Sequence, residues 1–228
     1  MEKIIVANHK MYLESKDVDN YVKRINNATF NVDLYLAPSS IYLSKFNSNN
    51  YTLTAQDVSI FNNGSYTGEI SAKELKDIGV NAVIIGHNER RLNFNEDSDI
   101  INKKIKNALE NDLKVILCIN ENNTIDELNK DLYDINEKDV IIAYEPTYSV
   151  GTGKVDDVDS IKIVIDSIKE NFNTKVLYGG SVDKENIRKI INICDGVVIG
   201  KKSLDVVYFT ELLKLFWFST RFDKFLQN

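Results

Sequence analysis

VIIAYEPTYSVGTGKVDDVDSIKIVIDSIKEN, residues 140–171, holds one complete structural unit. The apolar run Val140–Tyr144 reads as a buried strand. It delivers a single carboxylate, Glu145, to the strand's end, and Pro146 follows at once. Proline removes a backbone donor and stiffens the entry to the next segment. Gly151 and Gly153 then let backbone N–H groups approach an anion closely, with Lys154 at the end. From Val158 to Asn171 the period changes: Ile161, Ile165 and Ile168 share one face, while Lys162, Asp166 and Lys169 fall on another. Strand, acid, glycine lid and amphipathic helix follow in that order. An acid beneath an anion-binding lid points to proton abstraction from a small phosphorylated substrate.

The same alternation runs outward in both directions. Strands are predicted at Lys3–Ala7, Asp33–Ala37, Tyr51–Ala55, Ala82–Ile85, Lys114–Ile119, Val140–Tyr144, Lys175–Tyr178 and Gly196–Ile199. Helix-period segments include Ser71–Ile78, Asp97–Glu110 and Lys184–Ile193. Strand then helix, repeated, implies parallel pairing through crossovers. Such a series fits a closed (β/α)8 TIM barrel with outer helices, and a doubly wound open sheet also fits the alternation. Nothing resembles a linker, so residues 1–228 read as a single domain. In a barrel, active sites sit at the C-terminal ends of strands. The unusual polar residues do cluster just after the apolar runs: Asn8, Lys10, Gln56, His87, Glu89, Glu145, Gly179–Ser181 and Gly200.

Composition narrows the function classes. The chain has 228 residues, 28 basic and 34 acidic, for a formal net charge of −6. No nucleic-acid partner is expected, because binding a phosphate backbone needs a basic surface. The cysteines, Cys118 and Cys194, and the histidines, His9 and His87, lack zinc-ligand spacing, so no metal site is expected. Two isolated cysteines suit a reducing cytosol, and a cytoplasmic protein is expected. The first residues lack a secretory apolar core, and no run approaches membrane-spanning length, so no membrane partner is expected.

Single residues leave alternatives open. Asn8 and Lys10 are two apart at a strand end, so alternation turns them to one side and His9 to the other, as a packing or surface residue. His87, in IIGHNERR, is a general acid or base, or else a hydrogen-bonded structural histidine. Glu89, Arg90 and Arg91 read by default as a local ion-pair cluster at a helix start. YGGSV at 178–182 and GKKSL at 200–204 offer glycine backbone and the Ser181 hydroxyl to an anion, although Gly-Gly after a strand is often only a tight turn.

Taken together these segments resemble the triosephosphate isomerase family. The motifs are ANHKM (7–11), AQDV (55–58), YTGE (66–69), GHNERR (86–91), AYEPTYSVGTGK (143–154), YGGSV (178–182) and DGVVIGKKSL (195–204). The resemblance covers nearly the whole chain. It implies interconversion of dihydroxyacetone phosphate and glyceraldehyde 3-phosphate, with no cofactor. It implies Glu145 as general base, His87 as the electrophile that shuttles protons, Lys10 as the positive charge, and Asn8 as the residue orienting a substrate oxygen. Glu89 matches the acid near that lysine. Gly151, Ser181 and the turn Gly200–Lys201 match the phosphate grip, and Val150 and Val198 the apolar clamp on the base. It also implies a homodimer through loop 59–69, with Thr67 approaching Asn8 of the other subunit. The rival readings are another sugar-phosphate isomerase, or a divergent, non-catalytic phosphate-binding barrel. Both sit poorly with Asn8, Lys10, His87 and Glu145 all being present.

The chain departs from the family's pattern at several of these positions. His9 stands where a bulky aromatic is usual, Asp57 for asparagine, Asn88 for serine, Tyr148 for tryptophan and Lys201 for glycine. Val150 and Val198 are smaller than the usual Ile and Leu, which implies a less desolvated base. Residues 120–138 are short for the family, so a trimmed fifth helix is expected. The aromatic tail 211–228 reads as the last barrel helix, with Leu212, Leu215 and Phe216 turned inward.

Overall fold

The computed structural model describes residues 2–121, 124–148 and 157–217. Among these, the strands are β1 (Ile4–Asn8), β2 (Asp33–Ala37), β3 (Thr52–Ala55), β4 (Ala82–Ile85), β5 (Lys114–Ile119), β6 (Val140–Tyr144), β7 (Val176–Tyr178) and β8 (Gly196–Ile199). They pair in parallel, each with the next, and form a closed barrel in chain order. β1 closes on β8 in the register Ile4↔Gly196 to Ala7↔Ile199. The first strand runs one residue later than predicted, because Asn8 still pairs with Ala37.

The helices are α1 (Ser15–Asn26), α2 (Ala72–Asp77), α3 (Asn88–Phe94), α4 (Ser98–Glu110), α5 (Thr124–Asp131), α6 (Val158–Asn171), α7 (Ile187–Ile190) and α8 (Val206–Lys214). A 3-10 segment, Ser40–Lys45, follows β2. The predicted helix Lys184–Ile193 contracts to α7. Asp183 accepts the amides of Glu185 and Asn186, which makes a turn of the segment's start. On α8, Leu212 and Leu213 are fully buried, and Phe216 beyond it is buried too.

Alternation along the strands builds two apolar layers. Ile4, Val6, Tyr35, Ala37, Ala82, Ile84, Ile116, Cys118, Ala143, Leu177 and Val198 fill the barrel. Their neighbours, such as Ile5, Ala7, Val83, Ile85, Ile142 and Tyr144, pack outward with the helices. His9 continues the outward phase of β1. It is 1% exposed and meets the rings of Tyr21 on α1 and Phe46 edge-on, at 4.5 and 6.3 Å. Among the described residues, neither His9 nitrogen nor the Tyr21 hydroxyl has a hydrogen-bond partner. Burial pulls the His9 pKa down to about 3.

Candidate active site

Glu145 extends the inward phase of β6, after Ile141 and Ala143. Its N–H donates to the Ile119 carbonyl at 2.8 Å, one step beyond the last paired residues of β5 and β6. The side chain is buried, and it lies across the backbone of Gly179. A Cβ there would stand 2.3 Å from Glu145 Cγ, so only glycine fits. Glu145 Oε1 has no hydrogen-bond partner among the described residues.

His87 reaches the same place by breaking a rule. Simple alternation after Val83 and Ile85 would turn it outward. Gly86, at φ +71°, resets the phase, and a Cβ at that position would lie 2.9 Å from Arg91 Nη2 and 3.1 Å from Leu117 Cδ1. His87 then caps α3: the Glu89 amide donates to Nδ1 at 3.2 Å. An acceptor at Nδ1 assigns the ring proton to Nε2 in the neutral form. Nε2 lies 3.4 Å from Glu145 Oε2 and, like Glu145 Oε1, makes no hydrogen bond among the described residues. Burial lowers the His87 pKa, but the Glu145 carboxylate raises it more, so the net direction is upward. Burial raises Glu145, and His87, Cys118 and Lys10 together lower it more. Each therefore favours charge on the other while they face one another directly.

Lys10 holds a left-handed backbone, φ +52°, which disfavours any residue with a Cβ. Side chains at two strand ends secure it. Asn8 Oδ1 accepts the Lys10 amide at 3.0 Å, and Gln56 Nε2 donates to the carbonyls of Lys10 and Ala37 at 3.0 and 2.9 Å. The ammonium pairs with Glu89 Oε1 at 2.6 Å. Lys10 Cε would lie 3.8 Å from a Cβ on Gly200, so the ends of β1 and β8 meet here.

Asn8, Lys10, Glu145, Ser181, Gly200 and Lys201 line one cavity of about 610 Å³ at the strand ends, with Gly179, Val198 and Tyr208 in its wall. Ser181 has φ +35°, and its carbonyl accepts from Asn186 Nδ2 at 3.0 Å. Gly200 leads into a short 3-10 turn, Lys201–Ser203, and Lys201 is exposed. Val198 is 5% exposed. Gly151 and Val150 lie outside the described residues. A larger hollow of about 900 Å³ opens at the opposite end of the barrel, among Asp33, Lys114, Asp139, Lys175 and Asp195. It contains none of the candidate residues.

The charged run after His87 is not a local cluster. Glu89 pairs with Lys10. Arg90 reaches Asp57 and Glu96 at 2.8 and 2.7 Å, and Lys104 bridges the same two acids at 2.6 Å each. Burial raises the Asp57 pKa more than Lys104 lowers it. Arg91 binds Glu127 and Asp131 on α5 at 2.9 and 2.5 Å, and the Gly86 carbonyl at 2.8 Å. Sequence reading missed Asp57 as a half-buried partner, Gly179 as the bed of Glu145, and Glu121, which accepts hydrogen bonds from the Thr147 amide and hydroxyl. Nothing local marks these residues, because each acts on a distant segment. The loop 59–69 carries Phe61 and Tyr66 stacked at 3.9 Å and 4°, both about two-fifths exposed.

A family model described as triosephosphate isomerase matches residues 3–216. A triosephosphate isomerase of Orientia tsutsugamushi is 39% identical, over 94% of this chain and 98% of its own. One of Mycoplasma genitalium is 34% identical over 94% and 98%. One of Thermodesulfovibrio yellowstonii is 36% identical over 93% and 99%. A closed parallel barrel, a glutamate and a histidine meeting at its mouth, and similarity along almost the whole length agree: the chain belongs to the triosephosphate isomerase family.

Proposed function

We infer that the protein interconverts dihydroxyacetone phosphate and glyceraldehyde 3-phosphate, a step of glycolysis and gluconeogenesis. Family membership supports the reaction, and the divergent-binder alternative is not favoured. One local observation carries the reading: among the described residues, Glu145 Oε1 and His87 Nε2 are buried at the mouth without hydrogen bonds, Nε2 instead facing Glu145 Oε2 at 3.4 Å. Buried polar atoms left without hydrogen bonds in this way call for a ligand that supplies them.

In this reading Glu145 takes the proton from the carbon beside the carbonyl. The C–H electrons form the C=C bond, and the carbonyl oxygen becomes an enediolate oxygen. The Nε2–H of His87 donates to that oxygen and moves a proton between the two oxygens. Glu145 then returns its proton to the neighbouring carbon. A substrate between the two groups separates the imidazole from the carboxylate, while burial still lowers its pKa. The neutral ring is therefore the reacting form. The Lys10 ammonium stabilises the negative oxygen, Asn8 orients a substrate oxygen and holds the Lys10 backbone, and Glu89 sets the ammonium. Ser181, Gly200, Lys201 and Gly151 receive the phosphate, and Val150 and Val198 shield the base.

The protein acts as a single domain over residues 1–228, as a cytoplasmic homodimer joined through loop 59–69. The exposed Phe61–Tyr66 stack supports that contact. Among the described residues no helix is long and apolar enough to cross a membrane.

A coupled assay of triose phosphate isomerisation tests the reading. Glu145→Asp withdraws the carboxylate by about 1 Å and is expected to lower kcat on the order of 100-fold. Wild-type turnover no better than the variant's would overturn it.

A further inference from the structure

We propose that Glu121 is a positioning residue for Glu145: its carboxylate clamps Thr147 and so fixes the chain on the far side of the base. The proposal rests on the isomerase reading above.

The geometry begins with the β5–β6 ladder. Ile119 pairs with Tyr144, and the Glu145 amide donates to the Ile119 carbonyl at 2.8 Å. In a parallel ladder the next amide, two residues on, donates to the carbonyl two residues on in the partner strand. Those residues are Thr147 and Glu121. Pro146 lies between, with a fixed φ and no N–H. The Thr147 amide does turn to Glu121, but to side-chain Oε2 at 2.7 Å. The Thr147 hydroxyl donates to the other oxygen, Oε1. One carboxylate thus continues the ladder where the backbone leaves it. Burial raises the Glu121 pKa, and the two Thr147 bonds lower it more, so the clamp works with the charged form. Glu145 sits between two anchors on the β5 edge, the Ile119 carbonyl and the Glu121 side chain. Only Pro146 separates it from the second.

Loosening that anchor shifts the base without touching substrate. A shift of about 1 Å at a reacting group costs on the order of 100-fold, and a partial loosening should cost about tenfold. The effect belongs in kcat, because the cavity walls that hold substrate stay in place.

The test uses the full chain carrying Glu121→Ala, Thr147→Val, Thr147→Ser and the pair Glu121→Ala/Thr147→Val. Glu121→Ala is expected to lower kcat about tenfold with KM within about twofold. Thr147→Val keeps the shape and the amide bond and should lose less, while Thr147→Ser restores the hydroxyl and wild-type turnover. The pair should be no worse than Glu121→Ala alone, since both remove one clamp. Amide hydrogen exchange at Thr147 is read in parallel. Protection in wild type should be lost in Glu121→Ala and kept in Thr147→Ser. Wild-type kcat in Glu121→Ala, a KM effect with unchanged kcat, or unchanged exchange at Thr147 would each overturn the proposal. An inactive wild type would instead sink the isomerase reading, and the exchange experiment would still decide whether the clamp exists.

Discussion

At position 9 an imidazole packs against aromatic rings, with both nitrogens lacking hydrogen bonds among the described residues. Its folded pKa of about 3 lies below the ordinary 6.5, so the unfolded chain binds the proton more readily. This contribution to stability is therefore complete above about 6.5 and is lost as pH falls toward about 3. The loss is at most about 1.4 kcal/mol per pH unit. His9→Phe fills the same space without a titrating group. It is expected to be at least as stable at about pH 7, and to lose less stability than wild type by about pH 5, as urea midpoints would measure. Equal losses would remove His9 as the cause. Val198, 5% exposed, lines the same cavity as the buried Glu145. Val198→Leu should dry the wall around Glu145 and raise kcat in the coupled assay. Unchanged or lower turnover would count against it.

Among elements, α3 ties distant parts of the molecule together. Its cap is His87, its first turn carries Glu89, and Arg91 ties it to α5. Asp131 is fully buried, so Arg91→Met leaves an unpaired carboxylate inside the protein. A loss of about 3–5 kcal/mol is expected from urea denaturation. A change below about 1 kcal/mol would show that the pair is dispensable. The same helix shows what could be read in advance. The strands were legible because apolar period and turn residues mark them locally. Asn8, Lys10 and Glu145 were legible because each lies at or just beyond the end of a strand. The partners of Arg90 and Arg91 were not, because Arg91 spans 36 and 40 residues to its acids. Nor could alternation place His87, whose direction depends on the turn at Gly86. The Glu121 clamp was hidden for a related reason: it replaces a backbone bond whose loss shows only when both strands are in register.

At the scale of the whole molecule, loop 59–69 leaves the barrel with its base tied and its tip bare. Asn107 on α4 donates to the carbonyls of Ser59 and Phe61 at 2.9 and 3.3 Å, while the Phe61–Tyr66 stack faces solvent. A homodimer is expected at micromolar concentration by light scattering, and Phe61→Asp should shift it to monomer with reduced turnover. A monomeric wild type would overturn the assembly. The barrel's seam has a separate consequence, for biosynthesis. β1 is closed only by β8, through pairs such as Ile4↔Gly196, with Lys3 Nζ donating across the same seam to the Cys194 carbonyl at 2.8 Å. A ribosome adding about 5–20 residues per second needs roughly 10–40 seconds between these strands. Throughout that interval the nascent sheet has two open edges, able to pair with other chains. Ring closure is the pairing of longest sequence separation and so carries the greatest loop-closure cost, which makes it the step at which a chaperone that shields strand edges is expected to help this chain most.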